Sequence, residues 1–205
     1  MHKGRMKGFR RHIAEEAARL IANQECSDFF TARRKAAQRF GCSNKRLLPE
    51  IGEIDTALRE YQRLFKLDTQ PKALQYLRQI AVEAMEDLHP FSPRLTGPVL
   101  NGTADSNSPI QLYLFVECLE DIVVYFMERH IPYTQGEIKL RYPDGAEKSH
   151  PLFDFRAGDA SLELIILTPA SHSNPPLNSL EGKPDSGATL KQLKSAIGYR
   201  SSRGT

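Results

Sequence analysis

Cysteine is scarce in this chain. Cys26, Cys42 and Cys118 are its only three in 205 residues, and no two form a Cys-x-x-Cys pair. That spacing indicates neither a zinc knuckle nor a disulfide framework. Long apolar runs are missing too: none approaches the ~18–20 residues needed to cross a bilayer, so no membrane partner is expected. The N-terminal MHKGRMKGFRRH is charged and no apolar h-region follows it, which argues against a secretory signal. No Gly-x-x-x-x-Gly-Lys-Ser/Thr loop occurs, and Gly182-Lys183-Pro184 lies in a stretch of the wrong composition to replace it. A P-loop ATPase is therefore not supported. The same absence, with the short chain, argues against a cell-wall ligase of the UDP-N-acetylmuramate–alanine kind. His12 and Glu16 lie one helical turn apart without a third ligand, so no metal site is expected. These absences together suggest a soluble protein of a reducing compartment, most simply bacterial cytoplasm.

Apolar residues make up 40% of the chain, enough for a core of ordinary size. The net charge of +3 hides an asymmetry, because residues 1–46 hold 12 Lys/Arg against 4 Asp/Glu, while the remainder holds 16 against 21. A basic N-terminal segment on an acidic body can mark a contact with nucleic acid or the ribosome.

The first 90 residues read as helices. Ile13, Ala17, Leu20 and Ile21 give helical spacing over Phe9–Asn23. Ser27-Asp28 can cap a second helix, Phe29–Phe40, with Ala32, Ala36, Ala37 and Phe40 near one face and Gly41 as its stop. A third runs over Glu50–Lys66 on Ile51, Ile54, Leu58, Tyr61 and Phe65. A fourth spans Pro71–Leu88, with Thr69 as its expected cap and His89-Pro90 as its end. The composition then switches. Strands are expected at Arg94–Leu95, Ile110–Val116, Glu137–Tyr142, Leu152–Arg156 and Ser161–Thr168, with a helix at Leu119–Ile131. Tyr142-Pro143-Asp144-Gly145 and Ala157-Gly158-Asp159 read as hairpin turns. Pro169–Ala188 reads as a long mobile loop and Thr189–Tyr199 as a last helix. The fold class is α+β: a basic helical region (1–68), an α+β domain with a mixed or antiparallel sheet flanked by helices (69–170), and a Pro/Ser/Gly-rich loop with a C-terminal helix (171–205). Ile110, Leu112, Leu114, Leu162, Leu164 and Ile166 alternate along two strands and are expected to face one side.

The stretch Thr96–Phe115, TGPVLNGTADSNSPIQLYLF, carries the sharpest signal. It resembles the turn and strand of the DNA polymerase beta-like nucleotidyltransferase superfamily over roughly Pro71–Ala170. That family has Gly-Ser at a short helix, a Gly-Thr-Ala-like turn and an Asp-x-Asp strand. Here Gly97-Pro98 stands where Gly-Ser would be, Gly102-Thr103-Ala104 and Ser108 fit, and Pro109-Ile110-Gln111 stands where Asp-x-Asp would be. The resemblance implies that Glu163, in LELIIL, matches the third carboxylate. Active members hold two Mg²⁺ ions on those acids for phosphoryl chemistry. Pro109 offers no side-chain ligand and Gln111 only a neutral carbonyl, so the metal pair is lost. The resemblance therefore implies a non-catalytic binding or regulatory protein with no required cofactor, whose pocket would be lined by Gly97, Gly102, Thr103, Ser108 and Gln111. The alternative is an active nucleotidyltransferase that uses Mg²⁺ and Glu163 to move NMP from an NTP to a protein, RNA or small molecule. The expected partner is RNA or ribosome, with an acidic protein surface next, met by Arg10, Arg11, Arg33, Arg34, Lys35 and Arg39.

Overall fold

The computed structural model describes residues 2–23, 25–26, 29–65, 69–178 and 182–198, with the side chains of residues 2–7 outside the described set. The chain divides into two compact units, Met1–Asp68 with Ser179–Gly182, and Thr69–Asn178 with Lys183–Thr205.

In the first unit, α1 (His2–Ala22), α2 (Phe29–Arg39) and α3 (Ile51–Phe65) enclose a core of their own. Ile13, Ala17 and Leu20 on α1, Ala32 and Ala36 on α2, and Ile54 and Leu58 on α3 are buried at the spacing that brings helix faces together. Alanines on two of the three helices let the backbones approach closely. Gly41 ends α2 at φ +62°, with the Cys42 amide donating to the Ala37 carbonyl at 2.8 Å. The expected Ser27-Asp28 cap lies outside the described residues. Phe40 and Phe65 are exposed rather than inside. On α3 the inward position one turn after Leu58 is taken by buried Gln62, which leaves Phe65 at the margin against the Tyr61 ring, 4.7 Å between centroids.

The second unit begins with α4 (Gln70–Asp87). Thr69, expected as its cap, makes no side-chain cap bond because its backbone is already helical, at φ −99° and ψ −41°. There follow β1 (Arg94–Thr96), α5 (Gly97–Asn101), β2 (Ile110–Phe115), α6 (Leu119–Glu128), β3 (Thr134–Arg141), β4 (Glu147–Ala157), β5 (Ala160–Leu167) and α7 (Leu190–Ala196). Thr189 and Gln192 close a reciprocal capping box on α7. The fold is α+β, with N-terminal helices followed by a five-stranded mixed sheet and its flanking helices, in the order β1-β2-β5-β4-β3. Only β2 and β5 run parallel, with Gln111 beside Glu163; the other three pairings are antiparallel.

Period-two alternation sorts the strands onto two faces. Ile110, Leu112, Leu114, Leu162, Leu164 and Ile166 share one face and join the core that includes α4, α6 and α7. Phe126 sits at its centre, against Tyr133, Phe153 and Phe155 with centroids 5.0–5.7 Å away. The opposite face is apolar at one end, where Tyr113, Phe115, Ile165 and Leu167 cluster with Ile138, Leu140 and Leu152. The segment expected as a loop carries a 3₁₀ turn, Pro169–His172, and is tied to this sheet in several places. The His172 ring stacks on Phe115 at 3.7 Å, the Leu177 amide donates to Arg141 O, and Ala188 bridges to Leu95.

Candidate functional site

The register builds a polar row across the second face. Thr96 on β1 lies opposite Gln111 on β2, Gln111 beside Glu163 on β5, Glu163 opposite Asp154 on β4, and Asp154 opposite Thr134 on β3. One side chain from each of the five strands thus reaches the same level. Gln111 Nε2 donates to Glu163 Oε2 at 2.7 Å, joining the two positions that the sequence singled out 52 residues apart.

Gly97 explains how Gln111 fits. It opens α5 at φ +70°, and an added Cβ would collide with Gln111 Oε1 and lie 3.0 Å from Gln111 Cδ. The carboxamide occupies the space that the missing side chain leaves. Gly102 ends α5 in the left-handed region, and the amides of Thr103 and Ala104 both donate to Pro98 O, at 3.0 and 3.2 Å. The Thr103 side chain is buried. Ser108 turns away to its own loop, where Oγ accepts from the Asp105 amide at 2.9 Å and donates to Asp105 Oδ1 at 3.1 Å. Of the expected pocket lining, Gly97 and Gln111 therefore meet directly. Gly102 and Thr103 shape the turn behind them, and Ser108 fastens the turn.

Two acids join the row that sequence reasoning did not name. Asp154 faces Glu163, and the signal for it was available. Ala157-Gly158-Asp159-Ala160 makes a two-residue turn, and counting outward along the hairpin brings Asp154 opposite Glu163. Asp185 accepts from Thr96 Oγ1 at 2.9 Å and from the Gly187 amide at 2.9 Å. It comes from the returning segment, 89 residues beyond Thr96, and no local pattern announces it.

Burial sets the electrostatics. It raises the Glu163 carboxyl above its ordinary range; the Gln111 hydrogen bond pulls the other way, and Asp154 adds to the rise. Burial raises Asp154 as well. The Tyr113 phenol is pushed up by burial and by Asp185, partly offset by a hydrogen bond with Thr96. Glu163 and Asp154 are thus both held toward their neutral forms, by burial foremost. The row offers Asp154, Glu163 and the Gln111 carbonyl as oxygen donors. Among the described residues, no three His, Cys, Asp or Glu side chains gather as a metal-binding group.

The basic candidates in the first unit are largely engaged. Arg10 bonds Glu53 and Glu50, and Arg11 bonds Glu15. Arg39 bridges Glu16 and Glu25, at 2.5 and 2.8 Å, and Lys35 lies 4.0 Å from Glu25. Arg33 donates to Pro49 O and lies over the Phe30 ring, 5.4 Å from its centroid. Arg34, with Lys45 and Arg46, forms no ion pair among the described residues. Phe29 is buried and Phe9 meets Phe40 edge-on, whereas Phe30 and Phe40 are exposed.

No helix among the described residues is long and apolar enough to cross a membrane. No protein-family model matches the chain, and no curated protein matches its sequence.

Two outcomes follow from this geometry. Gly97→Ala should destabilise the second unit by about 1–3 kcal/mol in urea unfolding, through the collision and the positive φ. Gln111→Ala in that background should recover part of the loss, as a double-mutant coupling above about 0.5 kcal/mol. Additive costs would show that Gln111 does not fill the Gly97 space. The second outcome concerns pH. A carboxyl raised in the fold contributes stability that is fully present below its unfolded value, near 4.5, and is lost as pH rises through the folded value. Glu163→Gln should therefore flatten part of the fall in Tm as pH rises above the ordinary carboxyl range, with Asp154 retaining the remainder. An unchanged slope would remove Glu163 from the account.

Proposed function

We propose that this chain is a non-catalytic binding module on a nucleotidyltransferase-like scaffold. The observation that carries the reading is the Gly97–Gln111–Glu163 contact. A short helix opening on glycine, a strand position beside it and an acid on the neighbouring parallel strand support that reading. The strand position holds a carboxamide where a metal-binding acid would stand. A neutral amide donating to Glu163 spends one carboxylate oxygen on a hydrogen bond, which weakens any Mg²⁺ site there. In this reading the surface around Gly97 and Gln111 binds a ligand by hydrogen bonds, without two-metal chemistry.

The test is incubation of the purified protein with labelled nucleoside triphosphates, Mg²⁺ or Mn²⁺, and cell extract. No NMP transfer to protein, RNA or small molecule is expected. Transfer that Glu163→Ala abolishes would overturn the reading and make the chain an active nucleotidyltransferase.

The first unit supplies the partner contact, and RNA is the partner its free cations fit best. Among the described side chains of the basic segment 1–46, Arg34, Lys45 and Arg46 are those with neither an acid nor another partner, so contact is through about three phosphates. Affinity for single-stranded RNA should then fall with a log–log salt slope of about −2. Gel shifts across a salt series measure it. A shift that survives Ala at all three positions, or no salt-dependent shift at all, contradicts the RNA contact and leaves the acidic-protein alternative to be tested by pull-down.

A further inference from the structure

The sheet treats its two edges differently. On the β1 edge, the Leu95 amide and carbonyl are both taken by Ala188, at 2.9 and 2.8 Å. Gly187 permits that approach, since a Cβ there would lie 2.8 Å from Arg94 Cβ. On the β3 edge, eight residues run beside no further strand among the described residues.

The hydrogen bonds at the end of β3 show which of its groups face outward. The Tyr142 amide donates to Ala146 O across the hairpin, so even-numbered residues bond toward β4. Arg141 O accepts from Leu177 on the other side, so odd-numbered residues bond outward. The amides and carbonyls of Gln135, Glu137 and Lys139 have no partner among the described residues. Such a row is a template for another strand.

We propose that the occupant is a second copy of this chain, added antiparallel to β3 about a twofold axis through Ile138. Charge selects this register. Centred on Ile138, Glu137 of each copy stands opposite Lys139 of the other, and both residues have outward backbone groups. The two pairs give four N–H···O bonds and two cross-strand ion pairs. Centring on Glu137 would oppose two carboxylates, and centring on Lys139 two ammonium groups. Alternating charge on an edge repels many foreign strands, yet here it is complementary to itself. Ser149 Oγ donates to Glu137 Oε2 at 2.6 Å and orients that carboxylate.

Ile138 adds an apolar contact. It is half-buried against the cluster of Tyr113, Phe115 and Leu167. A twofold normal to the sheet keeps corresponding faces on one side, so the two Ile138 side chains meet and the apolar clusters become neighbours. Pairing stops at Arg141, whose carbonyl Leu177 already holds. An interface of one short strand is small, so the dimer is weak and reversible.

Sedimentation of the full chain from about 10 µM to 1 mM tests this, a range suited to small interfaces. Wild type should pass from monomer to dimer, less so in high salt. Glu137→Lys and Lys139→Glu should each remain monomeric, and their mixture should form a heterodimer. The double substitution should restore self-association. In parallel, amide exchange at Glu137 and Lys139 in wild type should slow as concentration rises, while Ile138 and Leu140 stay unchanged. A wild type that stays monomeric, a Glu137→Lys that dimerises like wild type, or exchange at Glu137 and Lys139 independent of concentration overturns the proposal.

Discussion

The parallel pairing of β2 with β5 is the constraint on which the second unit depends. Without it the sheet would fall into the pair β1-β2 and the meander β3-β4-β5. Six residues of β2 lie beside six of β5, from Ile110 by Leu162 to Phe115 by Leu167. Ten of those twelve side chains are apolar, and they separate cleanly into two faces. The exception is one polar couple, Gln111 and Glu163. A half-buried carboxyl beside an amide costs desolvation, which the 2.7 Å hydrogen bond offsets only in part. That couple also opposes slippage. A one-residue slip of β5 would bring Glu163 to the helical face among Ile110, Leu112 and Leu114, where no donor awaits it.

Much of this unit was legible in the sequence because period-two alternation is a local signal. The alternation from Ile110 to Leu114 and from Leu162 to Ile166 was enough to assign six side chains to one face. The turn at Gly158 was enough to pair β4 with β5, and three pairs outward from it Asp154 falls opposite Glu163. Asp185 was not legible. Its place beside Thr96 depends on where a segment rich in Pro, Ser and Gly returns to the sheet, and long-range loop closure leaves no periodic trace. Ser108 shows the opposite failure: the motif position was recognised, but a Ser three residues after an Asp satisfies its own turn more readily than a distant site. Thr69 fails for a comparable reason. A residue already in the helical region cannot direct its oxygen at the amides of its own first turn.

Charge was the least legible property, because composition counts residues and not partners. The excess of basic residues in 1–46 suggests a broad cationic surface. Folding instead places Glu16 between Arg19 and Arg39, with the Arg19 hydrogen bond foremost in lowering its pKa to about 2. Glu50 and Glu53 lie outside that window in sequence, yet both meet Arg10. Exposed pairs of this kind add little stability, but they remove cations from the set free to meet phosphate.

The polar row and the open edge are both consequences of one strand order. Because β2 and β5 occupy the middle of the sheet, Gln111 and Glu163 are flanked on both sides and held away from solvent at the strand rims. The same order sends β3 to the outside, where its hairpin partner satisfies only one set of backbone groups. The returning segment reaches Leu95 at the β1 edge and Arg141 at the end of β3. It closes the first edge and bounds the second, leaving Gln135 to Lys139 uncovered between them. A fold that fastens both ends of its sheet with one segment thereby limits any added strand to a short stretch that carries one acid, Glu137, and one base, Lys139.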